Sequence, residues 1–273
     1  MLFPTLLLLS GCNGPSAKEV ELTGLVNSWT GTGSYQGTSF DVSLELGNDR
    51  GDLTGVVTLT DNPDSELGFG SGVYLVSGTH DPQSGRIALA PEEWLEVPDV
   101  ELDLLGFSGT YDMTAGTIVG TVADFATVGR NELGGGPVTL SRTGGDTTVL
   151  EAAGMDKALP TETRSFSGTQ QCTSDVREMA GELTFDGNGS VSGEISYGDV
   201  TLAEGTYTFT FTGVHNTETG GITLVPGVYT ADEGHDYRTF FVEATYDPAG
   251  DRFDGEGRIN IGSCPDDYWV AGF

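Results

Sequence analysis

The sequence predicts an all-β protein built from two tandem, duplicated, antiparallel up-and-down β-barrel-like domains. The first observation is a repeat. Gly78-Thr79-His80-Asp81-Pro82-Gln83-Ser84-Gly85-Arg86-Ile87-Ala88-Leu89-Ala90-Pro91 returns 135 residues later as Gly213-Val214-His215-Asn216-Thr217-Glu218-Thr219-Gly220-Gly221-Ile222-Thr223-Leu224-Val225-Pro226. The second is alternation: apolar residues recur at every second position and no long helical pattern interrupts them. The third is the placing of glycine. Gly31, Gly55, Gly78, Gly109 and Gly120 stand in phase with Trp29, Leu53, Val76, Phe107 and Ile118, and Gly168, Gly193, Gly213 and Gly255 repeat most of this pattern. An interior glycine weakens a strand unless the sheet bends sharply there, and closing a small barrel needs such bends. A barrel is therefore expected in each half rather than a flat sandwich. A membrane-spanning barrel would turn its apolar face outward, and the acidic polar faces and short strands argue against that.

Taken in order, Trp29-Thr30-Gly31-Thr32 opens the first half and Phe166-Ser167-Gly168-Thr169 opens the second. Phe40 to Leu46 alternates apolar and polar as a half-buried strand should, and the turn Asn48-Asp49-Arg50-Gly51 leads into Leu53 to Val57. The second half answers with Glu182 to Phe185, the turn Asp186-Gly187-Asn188-Gly189, and Val191 to Ile195. Before the second hairpin, Thr206 to Thr212 places aromatics on one face and threonines on the other. After the hairpin, Gly109-Thr110-Tyr111-Asp112 matches Ala244-Thr245-Tyr246-Asp247, and Ile118-Val119-Gly120 matches Phe253-Asp254-Gly255. A period of this length marks a duplicated domain, not a solenoid. Counting runs between turns gives about eight strands per half.

Charge excludes some partners. The 273 residues hold 41 Asp plus Glu against 11 Lys plus Arg, a net charge of −30. Such a surface repels phosphate backbones, so no nucleic-acid partner is expected. It also repels an anionic membrane surface, so attachment to a membrane needs something other than a basic patch. The two lysines, Lys18 and Lys157, fall outside the expected domains. The imbalance reads as solubility in the exterior, with a cation-binding surface as the sharper alternative.

Met1 to Ser10 is a short apolar run, too short to span a bilayer as a helix. It ends in Leu9-Ser10-Gly11-Cys12, which resembles the lipobox of bacterial lipoproteins. The resemblance covers this segment alone. It implies cleavage before Cys12, acylation of Cys12, and a membrane lipid as partner, since several acyl chains anchor stably where one is marginal. No Lys or Arg precedes the run, which departs from the usual positive n-region. Asn13 follows the cysteine. In the family an Asp there favours inner-membrane retention, so its absence implies the outer membrane, on its periplasmic or surface face.

The expected organisation is a signal peptide over 1–11, a tether over 12–21, a first barrel-like domain over 22–142, a linker over 143–163 and a second barrel-like domain over 164–273. Within the linker, Thr148 to Ala153 reads as one helical turn or two, ended by Gly154 and Pro160.

With Cys12 acylated, Cys172 and Cys264 form an even pair in an exported protein, and a disulfide is expected. Cys172 ends the first strand of the second half and Cys264 precedes its last. In an up-and-down barrel those strands are neighbours, so the bond would lock the closure seam, with a chain-entropy value of roughly 4 kcal/mol. Metal ligation or a reactive thiol is the alternative, with no third Cys or near His to support it.

Chemistry is harder to find. His80 and His215 share one position of the repeated hairpin, each beside a tight turn, and read as strand-end turn residues; His235 stands apart. Neither a Gly-x-Ser-x-Gly elbow, a His-Glu-x-x-His pair nor a phosphate loop is present. Asp186-Gly187-Asn188-Gly189 lacks the further ligands of an EF-hand. The acidic loops, Asp61 with Asp64 and Glu66, and Asp232 with Glu233 and Asp236, would bind Ca²⁺ weakly at most. No metal site, no cofactor and no catalytic residue is expected. Trp94 and Tyr229 each follow the hairpin's proline by three residues and so sit at equivalent rims. They read either as ligand-binding aromatics or as caps on the barrel cores.

The halves resemble lipocalin-like and avidin-like small barrels: an aromatic near the first Gly, meandering strands and a Gly-Asp-Gly type of hairpin. The family tryptophan follows its Gly, whereas Trp29 precedes Gly31, and no ligand-binding signature transfers. The resemblance implies fold alone. The function expected is that of a lipid-anchored, non-enzymatic cell-envelope protein that binds a small ligand or an envelope protein at its barrel rims. A purely structural component with filled barrels is the alternative, and a hydrolase with unrecognised residues a third reading.

Overall fold

The computed structural model describes residues 6–7, 20–22, 25–35, 37–61, 70–99, 102–112, 114–124, 135–145, 161–171, 176–199, 206–216, 218–231, 239–258 and 268–273. The described chain is all strand, turn and irregular structure, with no helix. A two-residue strand β1 (Leu6–Leu7) pairs with β2 (Val20–Glu21). The first barrel comprises β3 (Leu25–Tyr35), β4 (Thr38–Asp49), β5 (Asp52–Asp61), β6 (Ser71–Asp81), β7 (Arg86–Glu96), β8 (Gly106–Asp112), β9 (Thr117–Ala123) and β10 (Gly135–Gly145). The second comprises β11 (Thr161–Gln171), β12 (Val176–Asp186), β13 (Ser190–Asp199), β14 (Thr206–His215), β15 (Gly221–Ala231), β16 (Phe241–Asp247), β17 (Arg252–Arg258) and β18 (Tyr268–Gly272). In each barrel every strand pairs antiparallel with the next and the last closes on the first. The protein is thus two closed eight-stranded barrels in tandem, each a small barrel of the general kind lipocalins build. Thr148 to Ala153 lie outside the described residues.

Alternation explains the strands. Along β4, Phe40, Val42, Leu44 and Leu46 are buried while Asp41 is exposed. Along β14, Tyr207, Phe209 and Phe211 turn inward, and Gly213 takes the next interior place. A Cβ at Gly213 would fall against the Thr223 carbonyl of β15, and one at the equivalent Gly78 against the Ala88 carbonyl of β7. The coiled sheet brings neighbouring backbones too close there for any side chain. That is why glycine interrupts the apolar stripe at the same place in both halves.

The hairpins close by the same side-chain device. Asp81 accepts hydrogen bonds from the backbone N–H of Ser84 (3.0 Å) and Gln83 (3.3 Å), and Asn216 Oδ1 accepts from those of Glu218 (2.8 Å) and Thr219 (3.4 Å). Leu25 pairs with Asn48, Gly145 with Asn27, Thr161 with Asp186, and Gly272 with Arg252. The chain therefore enters and leaves both barrels at the end where these hairpin turns lie, called the hairpin end below. The opposite end carries Tyr35, Trp94 and Asp124 in the first barrel and Arg177, Tyr197 and Tyr229 in the second. The closure seam of the second barrel runs β11 against β18, with Gln171 opposite Tyr268. Cys172 and Cys264 lie outside the described residues.

Gly213→Val is expected to lower stability by about 3 kcal/mol, the upper end of overpacking costs. Gly144→Val, where a Cβ meets nothing within 4 Å, should change it by no more than about 0.5 kcal/mol. Urea denaturation of both variants compares them directly.

Candidate functional site

The two barrels share a register but not a core. The second is packed with rings. Phe209 meets Phe240 at 5.1 Å and Tyr197 at 5.9 Å, and Tyr197 meets Phe240 at 5.7 Å, all edge-on. Where the second barrel has Phe211 and Phe240, the first has Val76 and Leu105 at the matching positions. Those two smaller residues help line an apolar slit with Val42, Val57, Leu89 and Leu140. About 380 Å³ between the lining side chains is free of atoms, part of it open to solvent, and about 30 Å³ of it is wide enough for the centre of a water molecule. An apolar void without polar partners stays dry.

Beyond the slit, at the end away from the hairpins, lie buried polar groups. Val122 of β9 lines it, and Asp124 takes the next interior place; Tyr35 of β3 lies two residues beyond Gly33 on the same face. The Tyr35 hydroxyl donates to Asp124 Oδ2 at 2.7 Å, with Asp124 1% exposed and Tyr35 6% exposed. Tyr74 donates its hydroxyl to the Leu105 carbonyl at 3.0 Å, and burial drives its phenol pKa upward. Burying a carboxyl group costs free energy, and the Tyr35 hydrogen bond offsets part of that cost. The hydrogen-bonded pair lies one interior place beyond the Val122 wall of the slit. The matching positions of the second half are Cys172 and Ile259, so the pair belongs to the first half alone. The sequence did carry one signal for it: Asp124 continues the interior phase of Ile118, Gly120 and Val122.

Trp94 and Tyr229 occupy equivalent places on separate barrels and are not brought together. Each is half-buried against its own core. Trp94 sets its edge to Tyr74 at 5.1 Å, and Tyr229 its edge to Phe209 at 6.1 Å, with its hydroxyl 3.1 Å from that of Tyr197. Burial raises the Tyr197 phenol pKa. The ladder register shifts beside both aromatics, between Tyr74 and Val76 and between Phe209 and Phe211. Pro91 and Pro226, which bring no N–H to the ladder, sit at those shifts.

His80 closes the first barrel at its hairpin end. It stands at the end of its strand, yet its ring is inside, 1% exposed, with Nδ1 3.4 Å from Asn48 Nδ2. Its Nε2 is buried without a hydrogen-bonding partner among the described residues. Burial lowers its pKa from 6.5 to about 4. His215, its counterpart, sits edge-on to Phe185 at 5.3 Å and Phe253 at 5.8 Å. Among the described residues no group of three His, Cys, Asp or Glu side chains could hold a metal ion. Asp64, Glu66, Asp232, Glu233, His235 and Asp236 lie outside the described residues, as does Cys12. In the turn that suggested a calcium loop, Asp186 Oδ1 accepts from the backbone N–H of Asn188 (3.0 Å) and Ser190 (3.2 Å).

No protein-family model matches the chain, and no curated protein matches it. A solved structure, kievitone hydratase from Nectria haematococca, aligns with 10% identity and a TM-score of 0.23, over 90% of this chain and 87% of its own. The expectation of a non-enzymatic protein, binding at its rims or purely structural, is corrected here. The matched protein is an enzyme, and the expectation rested on missing motifs, which report only chemistries with a fixed local signature. No residue, substrate or reaction passes from that protein to this chain.

His80 sets an acid limit. Its folded pKa lies below its unfolded value, so between pH 6.5 and about 4 the unfolded chain binds the extra proton. The neutral ring's contribution is complete above pH 6.5 and is lost as pH falls toward 4, a total of about 3 kcal/mol. The pH 7 to pH 4.5 loss of stability should be about 2 kcal/mol smaller in His80→Gln than in the parent protein. Parallel losses in the two proteins would assign the acid limit to other groups.

Proposed function

We propose that the first barrel is the working half of this protein: it takes up a small apolar molecule, or the apolar part of one, and sets it against the Tyr35–Asp124 pair. The observation that carries this reading is the difference between two barrels of one register. The first has a slit lined mostly by aliphatic side chains, with the buried Tyr35–Asp124 pair one interior place beyond Val122, whereas the second is filled with rings. In such a site the apolar walls supply affinity and the few polar groups fix orientation. The carboxylate, held by Tyr35, accepts a proton or hydrogen bond from the guest, and the phenol keeps it oriented. The second barrel serves as a rigid support.

We propose also that the protein belongs to the cell envelope, a reading supported by the lipobox-like Leu9-Ser10-Gly11-Cys12. Cys12 carries the lipid, the acidic surface keeps the body in solution, and a Cys172–Cys264 disulfide ties the seam of the second barrel. The outer membrane is the expected destination.

Two measurements test the site. Thermal unfolding with toluene, p-cresol or indole should give a rise in Tm of about 3 °C at tenfold saturation for at least one of them. Leu105→Phe, which copies the second barrel, should abolish that rise. p-Cresol should also bind about tenfold more tightly than toluene, a preference removed by Asp124→Ala. No shift with any probe, or a shift that survives Leu105→Phe, sinks the proposal. For the anchor, Cys12→Ala should lose palmitate labelling and move the protein to the soluble fraction; labelling that persists would place the lipid elsewhere.

A further inference from the structure

The barrels meet through the same elements on both sides, and the contacts come in reciprocal pairs. Asn216 of the second hairpin lies against Gly51 in a turn of the first barrel, and its Nδ2 donates to the Arg50 carbonyl (2.9 Å) and the His80 carbonyl (3.1 Å). Asp81, which matches Asn216 in the repeat, lies in turn against Gly189, the glycine that matches Gly51. Both glycines hold positive φ, +102 and +79, so each turn offers a bare backbone to the other barrel's hairpin. Thr79 and Thr223 join their hydroxyls at 2.8 Å. The counterparts of those two threonines, Val214 and Ala88, belong to one apolar cluster between the barrels, together with the matched pair Ala90 and Val225. One position meets its own counterpart: Gly106 lies under the ring of Phe241, and Phe241 is the residue 135 places after Gly106. A Cβ on Gly106 would fall inside that ring.

We infer that this face is a twofold, self-complementary association surface whose fitting partner is a second barrel of the same kind, so that the chain is a homodimer closed into one polypeptide. A contact between unrelated patches would pair non-equivalent strands, whereas a twofold contact pairs residue i with j and j with i. That second pattern is the one observed, and it is independent of the slit in the first barrel. The axis passes between Gly106 and Phe241, where two large side chains could not both fit. There the duplicated copies have diverged into a hole and a knob.

Exchange mutagenesis on the full chain tests the inference. Phe241→Gly should lower Tm by about 10 °C through loss of the buried ring. Gly106→Phe alone should lower it further or prevent folding. The double exchange, Gly106→Phe with Phe241→Gly, should recover at least half of the Phe241→Gly loss, because a twofold site accepts the knob from either side. A double variant no more stable than Phe241→Gly, or one that fails to fold while Phe241→Gly folds, overturns the inference. A second pair needs no large side chain. Thr79→Val with Thr223→Ala recreates the reciprocal Val–Ala contact and should stay within about 2 °C of the parent, while either single change leaves a buried hydroxyl unpaired and costs about 3 °C or more. A double change that loses as much as the two singles together counts equally against it.

Discussion

Closing eight strands into a barrel forces neighbouring backbones together at fixed points, and the rest of the molecule depends on meeting that constraint. At Gly78 and Gly213 the carbonyl of the adjacent strand occupies the space of a Cβ. These positions fix where the strands coil. The coil determines which residues look inward, and so where the slit, the ring-filled core and the face between the barrels can form. The constraint is backbone-deep. It therefore persists in both halves even where the side chains around it have changed.

What changed is the filling. With register held by the glycines, replacement of a ring by Val76 or Leu105 leaves space instead of shifting a strand, because close-packed surroundings relax only in part. One barrel has the aromatic network of Tyr197, Phe209 and Phe240; the other has room and, at its far end, the buried Asp124.

Much of the architecture was legible because it lives in periodicities. Alternation, in-phase glycines and the 135-residue echo are all local or self-referential, and together they gave two closed meanders. The site was not legible for the opposite reason. Tyr35 and Asp124 are 89 residues apart and meet only when β3 and β9 close around β10. His80 is the strand-end residue its place beside a turn suggested, and its phase along β6 sends the ring indoors. Trp94 and Tyr229 were found by their offset from a proline. Their edge-on contacts to Tyr74 and Phe209 became visible only with the register shifts that the prolines accompany.

All four barrel termini leave from one end, and this gives the molecule a polarity. The first and last strands of each barrel begin and end beside the hairpin turns, while Tyr35, Asp124, Tyr197 and Tyr229 gather at the opposite pole of their barrels. The twofold relation sends both poles the same way, since hairpin turn meets hairpin turn. Both poles away from the turns are therefore free of chain entries, so a molecule approaching either barrel from that side meets no connecting segment of the described residues.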